Sequence, residues 1–388
     1  MMRLVTMLAA AATVVALGLV ACSGGDDGPS DELKVEVIEH YAEGVHASYV
    51  ASVESATEMD AAIDAFLAGP SEATLAAAKE AWLAARDDYG PTEAFRFYGG
   101  PIDNEEDGPE GLINAWPLDE AYIDYVEGDP GAGVINQPET YPEITAELLV
   151  SLNEEGGEAN ISTGWHAIEF LLWGQDLNAD GPGDRPVSDY TTGENAERRG
   201  HYLGLVSDLL LEHLGELVAA WAPDAGGNYR ETFLALESDE ALVMIITGIG
   251  ELSRGELAGE RMTVAFEARS QEDEHSCFSD NTTSDVVANA EGIRRVFSGE
   301  YPGASGPGVH DLVKEADEEL ADRLLGEIEG SVALARAIPA PFDQHLGSEV
   351  PDSSEGRAAI LETIEALELQ TDSIVSVATA LGVTISVS

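Results

Sequence analysis

Residues 163–176 read TGWHAIEFLLWGQD. Ile168, Phe170, Leu171, Leu172 and Trp173 make this run apolar on every side, which reads as a short helix buried nearly all round. Residues three apart share a helix face, so His166 and Glu169 point the same way. An unpaired carboxylate in such a place is costly. Glu169 therefore needs a partner: a metal ion shared with His166, or a hydrogen bond to His166 or a neighbour inside the core. Helical bundles build metal sites from such carboxylate–imidazole pairs on facing helices, and that donor set suits iron or zinc. Gly164 would allow another backbone to come close to the start of this helix.

Helical patterning extends outward from this stretch. Residues 71–89 begin at Ser71, a good N-cap, and place Leu75, Ala78, Trp82, Ala85 and Tyr89 on one face before Gly90-Pro91. Residues 199–221 repeat the pattern with Leu203, Val206, Leu210, Leu214 and Leu217. Residues 310–337 carry a stripe from Leu312 to Val332, and residues 354–381 another from Ile360 to Leu381. No sustained alternation of period two is present, so few strands are expected. The fold class is all-α, read as two helical bundles, 31–195 and 196–388. Residues 90–142 are rich in Gly and Pro and form a long irregular loop with short helical pieces. Such a loop usually has a functional reason. A second loop, 174–189, resembles a calcium loop only superficially, because the acidic spacing and closing Glu are missing.

The chain of 388 residues carries 74 acidic against 18 basic residues, a net charge of −56. Only Lys34, Lys79 and Lys314 are lysines. Such a surface repels nucleic acid, which is excluded as a partner, and gathers cations. It also suits a chain working in high salt, where self-repulsion is screened. At the N-terminus, Arg3 precedes an apolar run ending Leu19-Val20-Ala21-Cys22, which reads as a secretory signal with a lipobox. Cys22 is then the lipidated residue and residues 23–30 a flexible tether. The expected location is the cell envelope, anchored to the membrane through Cys22. Ser23 at the next position suits outer-membrane retention. With Cys22 acylated, Cys277 has no disulfide partner.

Two further stretches carry candidate donors. In residues 247–285, Glu256, Glu260, Glu267 and Glu274 recur at four- and seven-residue steps, as on one helical face, and Arg254 and Arg261 are seven apart. The run EDEHSCFSDN, residues 272–281, packs Glu272, Asp273, Glu274, His275, Cys277 and Asp280 together and would supply ligands to His166. In the long loop, Glu93, Arg96, Tyr98, Asp103, Asp119 and Glu120 lie among aromatics, with Trp116-Pro117 suited to hold the loop against a bundle. Other chemistries fit poorly. A zincin needs a second His four residues after the first, and Phe170 stands there. No Gly-x-Ser-x-Gly elbow is present, and GIGELSRG lacks the residues of a phosphate loop.

Several of these stretches, in order, resemble the imelysin family of bacterial envelope proteins. Its Gly-x-His-x-x-Glu signature corresponds to Gly164, His166 and Glu169. FRFYGGPID with INAWPLDEAYIDY, then LSRGELAGERM, then RSQEDEHSCFSDNT are similar to further family stretches. The resemblance implies an all-helical fold of two bundles arising by duplication, with the signature site near their junction. It implies metal binding, most simply iron with zinc as the alternative, in iron uptake beside a transporter. His166 and Glu169 carry over as metal contacts; Glu93, Asp119 and His275 carry over only as neighbours in family-like stretches. The family was also named for peptidase activity, so a metallopeptidase is the alternative. A metal-free scaffold that takes an organic ligand or metal chelate is a third reading. One departure stands out: Thr283 follows FSDNT where many relatives carry His.

Overall fold

The structure is a computed structural model and describes residues 28–178 and 181–388. The expected signal peptide, Cys22 and the tether up to residue 27 lie outside the described residues. The helices in chain order are α1 (Asp31–Ala68), α2 (Glu72–Tyr89), the short pieces α3 (Glu110–Ile113), α4 (Glu120–Ile123) and α5 (Gly133–Asn136), then α6 (Ala146–Leu152) and α7 (Gly164–Trp173). They continue with α8 (Ala196–Trp221), α9 (Tyr229–Leu234), α10 (Ser238–Glu251), a π-helix (Leu252–Thr263), α11 (Val264–Ala268), α12 (Thr282–Ser298), α13 (Val309–Ala316), α14 (Glu318–Ala335) and α15 (Glu355–Ala380). Among the described residues, the strands are a two-residue antiparallel pair, Glu300–Tyr301 with Ala304–Ser305. The fold is all-α.

The caps explain where these helices begin. Ser71 accepts the Thr74 N–H at 3.2 Å while Thr74 returns a bond to the Ser71 N–H, a capping box. Ser30, at the end of the expected tether, instead caps α1 by accepting the Leu33 N–H at 3.2 Å. The stripe expected over 310–337 is interrupted at Asp317, which leaves helical geometry and accepts the Leu320 N–H at 3.0 Å as the cap of α14. One apolar stripe thus serves two helices.

α1 packs along α2 and α8, and α14 packs along α15. The larger core runs from Val37 to Val383 and draws on helices from both ends of the chain. A smaller core joins the π-helix, α11, α12, α14 and α15 through Met262, Val286, Val332 and Ile364. The division expected at 195/196 falls between α7 and α8, which pack on each other. α7 is fixed to α2 by Trp82. That indole is fully buried, meets Trp173 at 5.4 Å between ring centres, and donates to the Trp165 carbonyl at 3.1 Å.

Residues 247–285 depart from the single α-helical face expected of them. A π-helix bonds i to i+5 and so turns more slowly than an α-helix. Glu256 and Glu260 lie on it, Glu267 lies on α11, and Glu274 lies in the following loop. Arg254 and Arg261 part company. Arg254 reaches outward to Asp372 at 2.7 Å, while Arg261 is buried against Glu93.

Candidate functional site

Gly164 opens α7 with φ +83°, and a Cβ there would collide with the Ile113 carbonyl. The glycine of the signature thus lets the helix start press against the C-terminal end of α3, where the Thr163 hydroxyl donates to the Leu112 carbonyl at 3.1 Å. All ten residues of α7 are buried. One helical turn brings the His166 Nδ1 within 2.9 Å of Glu169 Oε2. The other Glu169 oxygen accepts the Ser279 N–H at 2.9 Å and the Ser279 hydroxyl at 2.7 Å. Ser279 belongs to the loop of residues 271–281, which closes over α7.

That loop also delivers His275. Its ring centre lies 4.8 Å from that of His166, with the planes 67° apart. His275 Nδ1 is 3.0 Å from Asp285 Oδ2, on the first turn of α12. Each imidazole therefore has a carboxylate behind its Nδ1. The His166 Nε2 is buried and meets no hydrogen-bond partner. Arg86, from α2, holds the far side: its Nε donates to Asp285 Oδ1 at 3.2 Å, and its Nη2 lies 3.4 Å from both ring nitrogens of His275. Trp116 packs edge-on to His275, 5.8 Å between centres, and donates to the Glu274 carbonyl at 2.8 Å.

The electrostatics follow from burial among arginines. Burial first, and Arg86 second, press the His166 imidazole down to about 3. The same forces, with Arg261 ahead of Arg86, hold His275 well below the usual imidazole range. Burial pushes the Glu169 carboxyl up to about 8, against the two Ser279 donors. Both rings are thus neutral at physiological pH, the form that binds a metal.

Glu93 has a different role from the ligand role expected of it. It is fully buried on the turn Gly90–Phe95. Its Oε1 accepts Arg261 Nη1 at 2.8 Å and the Asn114 amide at 3.1 Å. Its Oε2 accepts Arg261 Nη2 at 2.5 Å and Arg96 Nη1 at 2.9 Å. Burial alone would raise this carboxyl, but Arg261, Arg96 and Arg86 overcome it and hold it well below the usual carboxylate range. Every lone-pair direction is taken, so Glu93 is the anchor of an arginine cluster. Asp119 is not brought to the site either. It is exposed and caps α4 by accepting the Ala121 N–H at 3.0 Å. Thr283 lines a separate groove beside Asp87 and Arg295.

The structure therefore assembles His166, Glu169 and His275, and adds Arg86, Asp285 and Ser279, which sequence reading did not single out. Among the described residues, no three His, Cys, Asp or Glu side chains converge closely enough to hold a metal ion as they stand. The site opens through His275, Trp116, Asn114 and Arg261 into a polar cleft of about 320 Å³. Chemically, the arrangement offers two neutral imidazoles with their backing carboxylates, His275 lining the cleft and His166 buried behind it.

Known proteins share both the sequence and the fold. The Imelysin family model (Peptidase_M75) matches residues 45–374. The chain is 26% identical over 337 residues to iron-regulated protein A of Synechococcus elongatus, covering 84% of this chain and 80% of that one. The crystal structure of a protein described as an iron-regulated protein A precursor, from Parabacteroides distasonis, superposes with a TM-score of 0.71 at 20% identity, over 92% of this chain and 97% of that chain. An imelysin-like protein from Psychrobacter arcticum superposes with a TM-score of 0.66 at 15% identity, over 92% and 98% of the two chains. A family match over residues 45–374, which takes in most of both cores, the α7 signature and the 271–281 loop, assigns this chain to the imelysin family.

Proposed function

We propose that this protein is an envelope-associated member of the imelysin family that binds iron, as cargo, at the His166–His275 pair beside the polar cleft. The observation that carries the reading is the His166 Nε2: buried and without a partner, on a ring whose centre lies 4.8 Å from that of a second imidazole. A metal-ligating histidine usually hands its other ring nitrogen to a carboxylate, which fixes the tautomer and strengthens the ligand. Glu169 stands in that position behind His166, and Asp285 behind His275. His166 and His275 are then the protein's ligands, with Glu169 and Asp285 orienting them. Nitrogen donors of this kind suit iron(II) or zinc better than a hard cation.

The relatives support the iron side of this proposal, since two of them bear the name iron-regulated protein A. Attachment through an acylated Cys22 would put the cleft at the envelope, where a transporter would receive the metal. A peptidase reading fits the geometry less well. It needs a general base that faces water, and both Glu169 oxygens are engaged in a fully buried pocket.

Elemental analysis and calorimetric titration with iron(II) and zinc test the proposal. One metal per chain is expected, with binding lost in His166→Ala and strongly weakened in His275→Ala. Undiminished metal content in His166→Ala would falsify it. Loss of membrane association in Cys22→Ser tests the anchoring separately.

A further inference from the structure

A groove of about 330 Å³ runs along α12 and shares no lining residue with the cleft over His275. Its floor is one stripe of that helix, Thr283, Val287, Glu291 and Arg295, each four residues on, with Ser284 and Ala288 alongside. The facing wall is Asp87, on α2, and Pro91, in the turn that follows; Arg336 comes from the end of α14.

Contacts fix the direction of that wall. Arg86 Nε donates to Asp285 Oδ1 at 3.2 Å, and the Asn289 amide donates to the Gly90 carbonyl at 3.0 Å. A Cβ on Gly90 would stand 2.6 Å from that of Ala288, and one on Gly292 would stand 2.5 Å from the Pro91 carbonyl oxygen. Residues 86 to 91 thus run beside residues 285 to 292 in the same sense, with the two backbones nearly touching. The groove is therefore pre-formed, and Asp87 stands at the start of the stripe. Arg336 marks the other end, where its Nη2 donates to Glu291 Oε1 at 2.5 Å, one turn before Arg295.

The two ends differ in charge. Glu291 is already neutralised, because Arg294 Nε donates to its other oxygen at 2.7 Å. Arg295 is half-buried and, among the described residues, makes neither a side-chain hydrogen bond nor an ion pair. On a chain with 74 acidic and only 18 basic residues, its own carboxylates leave this guanidinium unmet. Its planar fork is suited to taking a carboxylate through two parallel bonds. Between the ends, Val287, Ala288 and Pro91 give an apolar middle.

We infer that this groove binds a linear zwitterion, with its carboxylate on Arg295 and Arg336, its ammonium on Asp87, and an apolar body across Val287, Ala288 and Pro91. The ten residues from Asp285 to Arg295 rise about 15 Å along the helix, so the two charges of the ligand lie about 10–15 Å apart. A peptide of about four residues with free ends spans that distance when extended. A linear amino acid without peptide groups offers the same chemistry. The site is independent of the metal reading, because none of its groups belongs to the imidazole pair.

Tetra-alanine and 8-aminooctanoate are the probes, one with peptide groups and one without. Calorimetric titration of the purified protein should give one site with Kd below about 1 mM for at least one of them. Binding of tetra-alanine alone identifies a peptide as the ligand, and binding of 8-aminooctanoate alone a non-peptide amino acid. Amidating the carboxylate or acetylating the amine should each weaken the bound probe about tenfold or more. Arg295→Gln should lose the preference for the free carboxylate, and Asp87→Asn the preference for the free amine. Neither position is in the core, so melting of the ligand-free variants should stay within about 2 °C of wild type. His166→Ala should bind the probes as wild type does, so failure of the metal reading leaves this result standing. No binding of either probe to wild type at about 10 mM, or an unchanged preference in either variant, overturns the inference.

Discussion

Replacing Glu93 by Gln separates the two roles this residue can have. In the structure its carboxylate, itself fully buried, receives two bonds from Arg261, one from Arg96 and one from Asn114. Gln keeps the shape but removes the charge, and its amide NH2 would face the arginine donors. Breaking a buried ion pair by neutralising one partner costs about 3–5 kcal/mol. That is a large fraction of a typical stability of about 5–15 kcal/mol. Urea unfolding in EDTA, which removes any metal contribution, reads the difference directly. The sign with pH is fixed by the depressed carboxyl. Its stabilisation is fully present above the unfolded value of about 4.3, and is lost as pH falls toward the lower folded value. The gap between wild type and Glu93→Gln should therefore be constant from about pH 8 to 5 and narrow below about 4. Equal stability of the two proteins in EDTA, within about 1 kcal/mol, together with lost metal in Glu93→Gln, would mean that Glu93 is a ligand after all.

Other perturbations have equally direct outcomes. Gly164→Ala forces a left-handed residue, at about 1–2 kcal/mol, and also drives a methyl into the Ile113 carbonyl; a combined loss above about 2 kcal/mol in urea unfolding is expected, and a loss below 1 contradicts the packing. Trp82→Ala removes a fully buried indole between Trp165 and Trp173 and should cost about 3–5 kcal/mol, with near-ultraviolet dichroism of the tryptophan cluster reporting the change. Iron or zinc binding at His166 requires its Nδ1 proton to be donated to an ionised Glu169, leaving Nε2 free. Because burial holds the Glu169 carboxyl at about 8, affinity should climb as pH rises toward 8 and level off above it, with proton release on binding. Calorimetry in buffers of different ionisation enthalpy checks this, and a flat profile between about pH 6 and 9 refutes it. A sequence-based view, using the ordinary histidine value, puts the fall below about pH 6.

The helices with clean apolar stripes were legible from sequence alone. Leu75, Ala78, Trp82, Ala85 and Tyr89 bury as the 71–89 pattern requires, and Leu203 to Leu217 bury in α8. α1 was not, because its buried face uses His40, Gly44, Ser48 and Ser52 between the apolar residues. The π-helix was hidden for another reason: its acidic residues imitate an α-helical spacing, and nothing local marks the change of pitch. At the site, His166 and Glu169 were readable because three residues on a helix is a local relation. Arg86 and Asp285 are 199 residues apart, and Glu93 and Arg261 168 apart. Their pairing is a property of how the helices cross, so Glu93 looked like any loop carboxylate until its arginines were in place.

The buried arginines have a consequence for the outside of the molecule. Arg86, Arg185, Arg199, Arg230, Arg261 and Arg357 are all nearly inaccessible. They account for six of only 18 basic residues. A third of the chain's positive charge is thus withdrawn into the interior, and the rind left to solvent is more one-signed than the overall composition suggests. Such a body is a negatively charged particle whose neutralising partners must be dissolved ions. The surroundings then act as a missing structural component: dilution of salt loosens the rind by repulsion, while the arginine-clamped interior holds.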